Sequence, residues 1–146
     1  MSVWWNDVED YSGAREGTRN GMFGAFGFAA MLGFGALVLG MGGSLVEGLN
    51  IDPTARTIGL AMIGAEASVA LLAAWRFRMG KGWLSGSIVL LLFVIEVGYK
   101  LFSGFLGIAW YVFYLAIFLG LMNGIRGAWA LREMGAEPTD LSDTFG

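Results

Sequence analysis

Charged side chains in this sequence are gathered into a few places, and the intervals between them set what the chain can fold into. Residues 20–46 carry no charge, 57–75 only Glu66, 82–99 only Glu96, and 101–125 none. A helix needs about 20 mostly apolar residues to cross a bilayer, at about 1.5 Å of rise each, and all four intervals approach or exceed that length. An amphipathic helix of a water-soluble bundle would place polar residues on every turn. The fold class expected is therefore all-α: a four-helix transmembrane bundle built from antiparallel hairpins. The spans fall at about 21–43, 57–77, 83–99 and 105–127 within a membrane domain 21–134. A polar arm 1–20 precedes it, and a mobile acidic tail 135–146 follows.

Composition supports this and excludes much else. The chain is 56% apolar and 14% charged, against about 25% charged in an average soluble domain. Nine Lys and Arg against twelve Asp and Glu give a net charge of −3, with no basic surface for nucleic acid. The sequence has neither Cys nor His. Disulfides, zinc sites, thiol nucleophiles and imidazole bases are thereby removed. The expectation is no catalytic residue, no metal and no cofactor.

Local punctuation marks the helix ends. Asp52-Pro53 places a capping carboxylate before a first-turn proline, so the second helix should open there. Gly40, Gly42 and Gly43 weaken the end of the first helix, and Ser103-Gly104 is the expected break between the third and fourth. Met79-Gly80-Lys81-Gly82 leaves room only for a tight turn, which makes the second and third helices neighbours. Gly135 followed by Pro138 is a stop signal for the last helix. In the arm, acidic residues stand where a secretory leader would be basic, so the first span is expected to remain. Trp4, Val8 and Tyr11 recur at helical spacing and could dock on a protein partner.

Basic residues set the expected orientation. With four spans, Arg15, Arg19, Arg76, Arg78, Lys81, Arg126 and Arg132 share one side, leaving only Arg56 and Lys100 opposite. Both termini should be cytoplasmic. Trp75, Trp83 and Trp129 fall at that same boundary. The cluster Arg76, Arg78 and Lys81 reads as a topological signal, with recognition of anionic lipid or an acidic partner as the alternative.

Apolar burial cannot drive helix association inside lipid, so close backbone approach has to. Small residues recur at every fourth position in two spans: Gly21, Ala25, Ala29 and Gly33 in the first, Ala116, Gly120, Gly124 and Ala128 in the fourth. Both stripes are read as helix-packing faces, within the chain or between chains.

Two acids lie inside spans. Glu66 is placed near the bilayer midplane, where an ionised carboxylate costs about 2.5 to 3.5 kcal/mol and must be protonated, paired or wet. Tyr114 on the fourth helix is the expected hydrogen-bond partner. Two readings stand for Glu66: a proton or cation site, or a neutral acid in an interhelical or intersubunit contact. Glu96 precedes Lys100 by one helical turn in the favoured order, predicting a local ion pair near the non-cytoplasmic interface, at a different depth from Glu66.

The segments FVIEVGYKLF, 93–102, and MNGIRGAWALREM, 122–134, resemble a class of uncharacterised small bacterial four-helix inner-membrane proteins. The matching positions are Glu96, Lys100, Arg126, Gly127, Trp129 and Arg132. This chain departs from the pattern at Ala130-Leu131, where a Tyr-His pair is usual. The resemblance implies a bacterial inner-membrane setting and a four-span bundle. Together these readings describe a non-catalytic accessory or structural subunit whose partners are membrane lipid and other membrane subunits or further copies of itself. A proton- or cation-conducting component using Glu66 is the alternative. A lipid-, quinone- or pigment-binding module lined by Phe105, Tyr111 and Tyr114 is a third reading.

Overall fold

The computed structural model describes residues 8–41, 52–102 and 108–136. Four helices account for nearly all of them: α1, Tyr11–Gly40; α2, Pro53–Arg78; α3, Trp83–Phe102; and α4, Ile108–Ala136. Each is long and apolar enough to cross a membrane, and the chain is a four-helix bundle of membrane type. Gly42, Gly43, Ser103, Gly104, Phe105, Trp4 and the tail beyond Ala136 lie outside the described residues.

Helix α1 opens at Tyr11, well before the span expected from Gly21, because Asp10 caps it. The Asp10 carboxylate accepts the Gly13 N–H at 2.7 Å and the Ser12 hydroxyl at 2.8 Å. Part of the polar arm is therefore the first turns of α1. Helix α2 opens as its sequence predicts, with Asp52 accepting the Thr54 and Ala55 N–H groups at 3.1 Å and Pro53 in the first turn. It closes in a Schellman motif: Gly80 N–H bonds the Phe77 carbonyl, and Lys81 N–H the Arg76 carbonyl, both at 2.9 Å. Gly80 takes φ 72°, which a side chain would resist.

Packing is most extensive between α1 and α4, then between α1 and α2, while α3 rests on α4 and α2. The α1–α4 seam is made by six glycines. Gly17 faces Gly127, Gly21 faces Gly124 and Gly24 faces Gly120, one number rising as the other falls. A Cβ on Gly24 would come within 2.8 Å of the Leu121 nitrogen, and one on Gly21 would collide with the Gly124 Cα. Backbones meet here with nothing between them, which recovers dispersion that larger side chains would prevent.

Phe77 fills a place where all four helices converge. Its ring is fully buried and lies against Gly21 of α1, Gly124 of α4, Gly86 of α3 and Gly82 of the turn; a Cβ on Gly82 would sit 2.6 Å from the ring. Beyond Phe77 the burial in α2 extends back only to Ala70. In α1 it extends to Leu32. Gly33, Gly35, Gly40, Gly64 and Gly98 have open space where a Cβ would go. The bundle is tight at the end near the α2–α3 turn and open at the other. Gly33 therefore leaves the packing stripe that its spacing implied: Gly21 and Ala25 are buried and Ala29 half-buried, but the stripe runs off the α4 contact before Gly33.

Phe77→Ala should destabilise the folded bundle by about 3–5 kcal/mol, the usual cost of emptying a buried aromatic site. Gly124→Leu should abolish the compact fold, whereas Gly33→Ala should leave stability within error. Thermal unfolding in detergent micelles measures all three; equal loss from Gly33→Ala and Gly124→Leu would refute the seam. The cap gives a pH prediction. Hydrogen bonds from Gly13 N–H and Ser12 hold the Asp10 carboxyl below its ordinary range, so its stabilisation is present above the unfolded value and lost as pH falls through the folded one. Amide exchange at Gly13 and Ala14 should accelerate on acidification in the native chain but not in Asp10→Asn, which keeps an uncharged cap.

Candidate intramembrane polar site

The three charged side chains expected within or near the spans all lie on the α2–α3 hairpin. Lys100 Nζ lies 2.8 Å from Glu96 Oε1, one helical turn apart on α3, with each side chain about 30% exposed. Glu66, half-buried on the neighbouring α2, feels both charges without a direct ion pair to either among the described residues. The connection explains this. Glu66 precedes Met79 by thirteen residues and Glu96 follows Gly82 by fourteen, so both stand about 20 Å from the turn at about 1.5 Å per residue. Because α2 and α3 fold back on each other, the two acids stand at similar distances from their common turn. Counting outward from Gly80 shows this, whereas measuring each acid against its own span ends does not.

Two carboxylates and one ammonium make a trio of uneven sign. Glu96 and Lys100 compensate one another within a single helix, leaving Glu66 as the group whose charge the chain does not neutralise with a direct ion pair among the described residues. At membrane depth such a group stays neutral or takes a polar partner.

The structure does not bring Tyr114 to Glu66. Helices α2 and α4 stand on the diagonal of the bundle, and no hydrogen bond joins these two residues among the described ones. Tyr114 is buried instead in an aromatic cluster, 6.0 Å from Phe93 and stacked 6.1 Å from Trp110. Phe93 in turn meets Phe28 edge-on at 5.5 Å, so the cluster ties α1, α3 and α4 together. Tyr111 is exposed. Gly120 and Gly124 belong to the seam with α1.

The basic cluster divides. Arg76 and Lys81 line one cavity with Arg15 and Arg132, while Arg78 lines a second hollow with Arg15, Arg19 and Glu16. At this end Trp83 and Trp129 meet edge-on at 5.1 Å, and the Arg132 guanidinium lies over both rings at 5.4 and 5.6 Å. Asn123, buried on the seam, is a polar residue that the small-residue pattern passes over. Among the described residues no group of three or more acidic, His or Cys side chains could hold a metal ion.

The Glu96–Lys100 bond predicts non-additivity. Glu96→Gln and Lys100→Met each break the ion pair and leave one of its two charges behind, and the double variant removes both. In thermal unfolding the double variant should therefore be no less stable than the weaker single one. Strictly additive losses would show the two side chains to be independent.

Comparison with protein-family models, curated proteins and solved structures gives no match.

Proposed function

We propose that this chain is a non-catalytic accessory or structural protein of a membrane, which associates with another membrane subunit or a second copy through the open half of its α2–α3 hairpin. The observation that carries the reading is Glu66, held at membrane depth on the loosely packed half of the bundle. The α1–α4 glycines, whose spacing could equally have served an intermolecular contact, are consumed within the chain. Among the faces left unfilled is that of α2, where Ala61, Gly64, Ala65 and Ser68 are all exposed. Small residues permit close approach of another helix, and a polar group on that helix would satisfy the Glu66 carboxyl. The resemblance in α3 and α4 favours a bacterial inner membrane, and the distribution of Lys and Arg favours cytoplasmic termini.

Uneven charge in the trio favours a second reading, a proton- or cation-conducting role. Uptake of one proton by the two carboxylates would neutralise the site. In this reading Glu66 is the group that exchanges the ion, and several chains around one axis would ring their acids.

Glu66→Gln keeps shape and hydrogen bonding but cannot ionise; Glu66→Leu loses both. Gentle detergent extraction with mass spectrometry of the intact particle should find a homo-oligomer or a stoichiometric complex for the native chain and Glu66→Gln, and dissociated chain for Glu66→Leu. A strictly monomeric native chain would refute the association. Flux across liposomes that depends on pH and vanishes in Glu66→Gln would establish the second reading in its place.

A further inference from the structure

The cations at the tight end of the bundle converge. Arg15 from α1, Arg76 from α2, Lys81 from the turn and Arg132 from α4 line a single cavity of about 640 Å³. No carboxylate lines it among the described residues. Glu133, next to Arg132 in sequence, is engaged by Trp129, whose Nε1 donates to its carboxylate at 2.6 Å. Arg132 itself is oriented by the two tryptophan rings beneath it, and the Arg15 guanidinium lies beside the left-handed Gly80.

The backbone adds an independent feature on the same wall. Helix α3 begins at Trp83, and the residue before it is Gly82, whose carbonyl takes the Gly86 N–H at 2.7 Å. Glycine has no side chain with which to cap. The Ser85 hydroxyl does not substitute, since it donates back to the Gly82 carbonyl at 3.3 Å. First-turn N–H groups have no acceptor inside their own helix, and the start of a helix carries partial positive charge. Trp83, Leu84 and Ser85, which supply those groups, line the cavity with the four cations.

Like charges gathered with a helix N-terminus and no counter-charge are stabilised by a bound anion. A tetrahedral oxyanion presents several acceptors at once to planar guanidinium forks and to backbone N–H groups, which a single carboxylate does less well. We infer that this cavity binds a phosphate-bearing anion, and its seat beside Trp83, at the head of a membrane-length helix, suits the headgroup phosphate of an anionic phospholipid. Leu84, Leu131 and Met79 give the cavity an apolar wall along which the start of an acyl chain can lie. The inference is independent of Glu66 and of the association reading, which concern the opposite half of the bundle.

The full chain in detergent micelles is titrated with phosphatidylglycerol, with zwitterionic phosphatidylcholine and with inorganic phosphate, read by native mass spectrometry and by tryptophan fluorescence. Phosphatidylglycerol should bind preferentially. Each cation removed should weaken it by about fivefold, so the Arg76→Gln/Lys81→Gln pair loses about twenty-five-fold. Arg78→Gln, which removes the same charge two residues from Arg76 but lines the other hollow, should stay within about twofold of the native chain. If the paired variant misfolds, Arg132→Gln and a salt titration of the native chain test the same prediction. Inorganic phosphate that displaces the lipid supports the site with a soluble anion as occupant, whereas lipid retained at saturating phosphate supports the headgroup. A native chain that neither prefers phosphatidylglycerol nor binds inorganic phosphate overturns the inference. Arg78→Gln losing as much as the paired variant also overturns it, reducing binding to diffuse surface charge.

Discussion

A phenylalanine ring seated among four glycines governs this bundle. Phe77 reaches from the end of α2 to Gly21, Gly124, Gly86 and Gly82, so that each helix and the turn present backbone to its ring. In lipid there is no aqueous reference against which burying an aromatic group is favourable, and close contact has to supply the attraction. Glycine permits that contact because removing the Cβ lets two helix backbones approach each other and the ring at once. The α1–α4 seam and the Phe77 socket share Gly21 and Gly124. The two features are thereby coupled at the tight end of the molecule through these shared residues.

The tightness is confined to one half, and the confinement has consequences for charge. Around the socket, helices are close and the cations are carried outward, to the rim where water and headgroups are available. Toward the other end Gly33, Gly35, Gly40, Gly64 and Gly98 face open space and α2 buries nothing before Ala70. That is where Glu66, Glu96 and Lys100 sit. A tightly packed half would have had to desolvate this trio fully, at a cost that no seam of glycines offsets. The loose half leaves each of the three partly exposed, able to meet a partner, a proton or an ion without unpacking the core.

Much of this was written in the sequence, for reasons particular residues make plain. The charge-poor intervals gave the helix count, Asp52-Pro53 the start of α2, and Gly80 its end, because each is a local constraint that neighbours cannot override. Asp10 and Ser12 are an ordinary opening for a helix, but they stand outside the apolar interval, so hydropathy alone does not point to them. The small-residue stripes located Gly21, Gly120 and Gly124 but overran at Gly33, since a stripe records what a helix face could pack against and not where the partner diverges. Gly17, Gly24 and Gly127 were missed because the seam alternates steps of four and three, following the helix repeat. Pairing Glu66 with Tyr114 assumed that equal depth implies contact; in a ring of four helices, α2 and α4 lie across the diagonal. The level shared by Glu66 and Glu96 was available from Gly80 alone, by counting in both directions.

The two halves therefore divide the work of a small membrane protein along its length. Stability comes from backbone contact at one end, where the basic side chains stand around the rim cavities. Polarity at membrane depth is placed where packing does not depend on it, and the Glu96–Lys100 bond makes it less costly by cancelling two charges within one helical turn. What is left is one carboxyl on α2. Its neutralisation can be changed by a partner or by a proton without moving Phe77 or the glycine seam, so the state of the site and the integrity of the fold are separable. That separation is the physical condition for a site that responds while its scaffold does not.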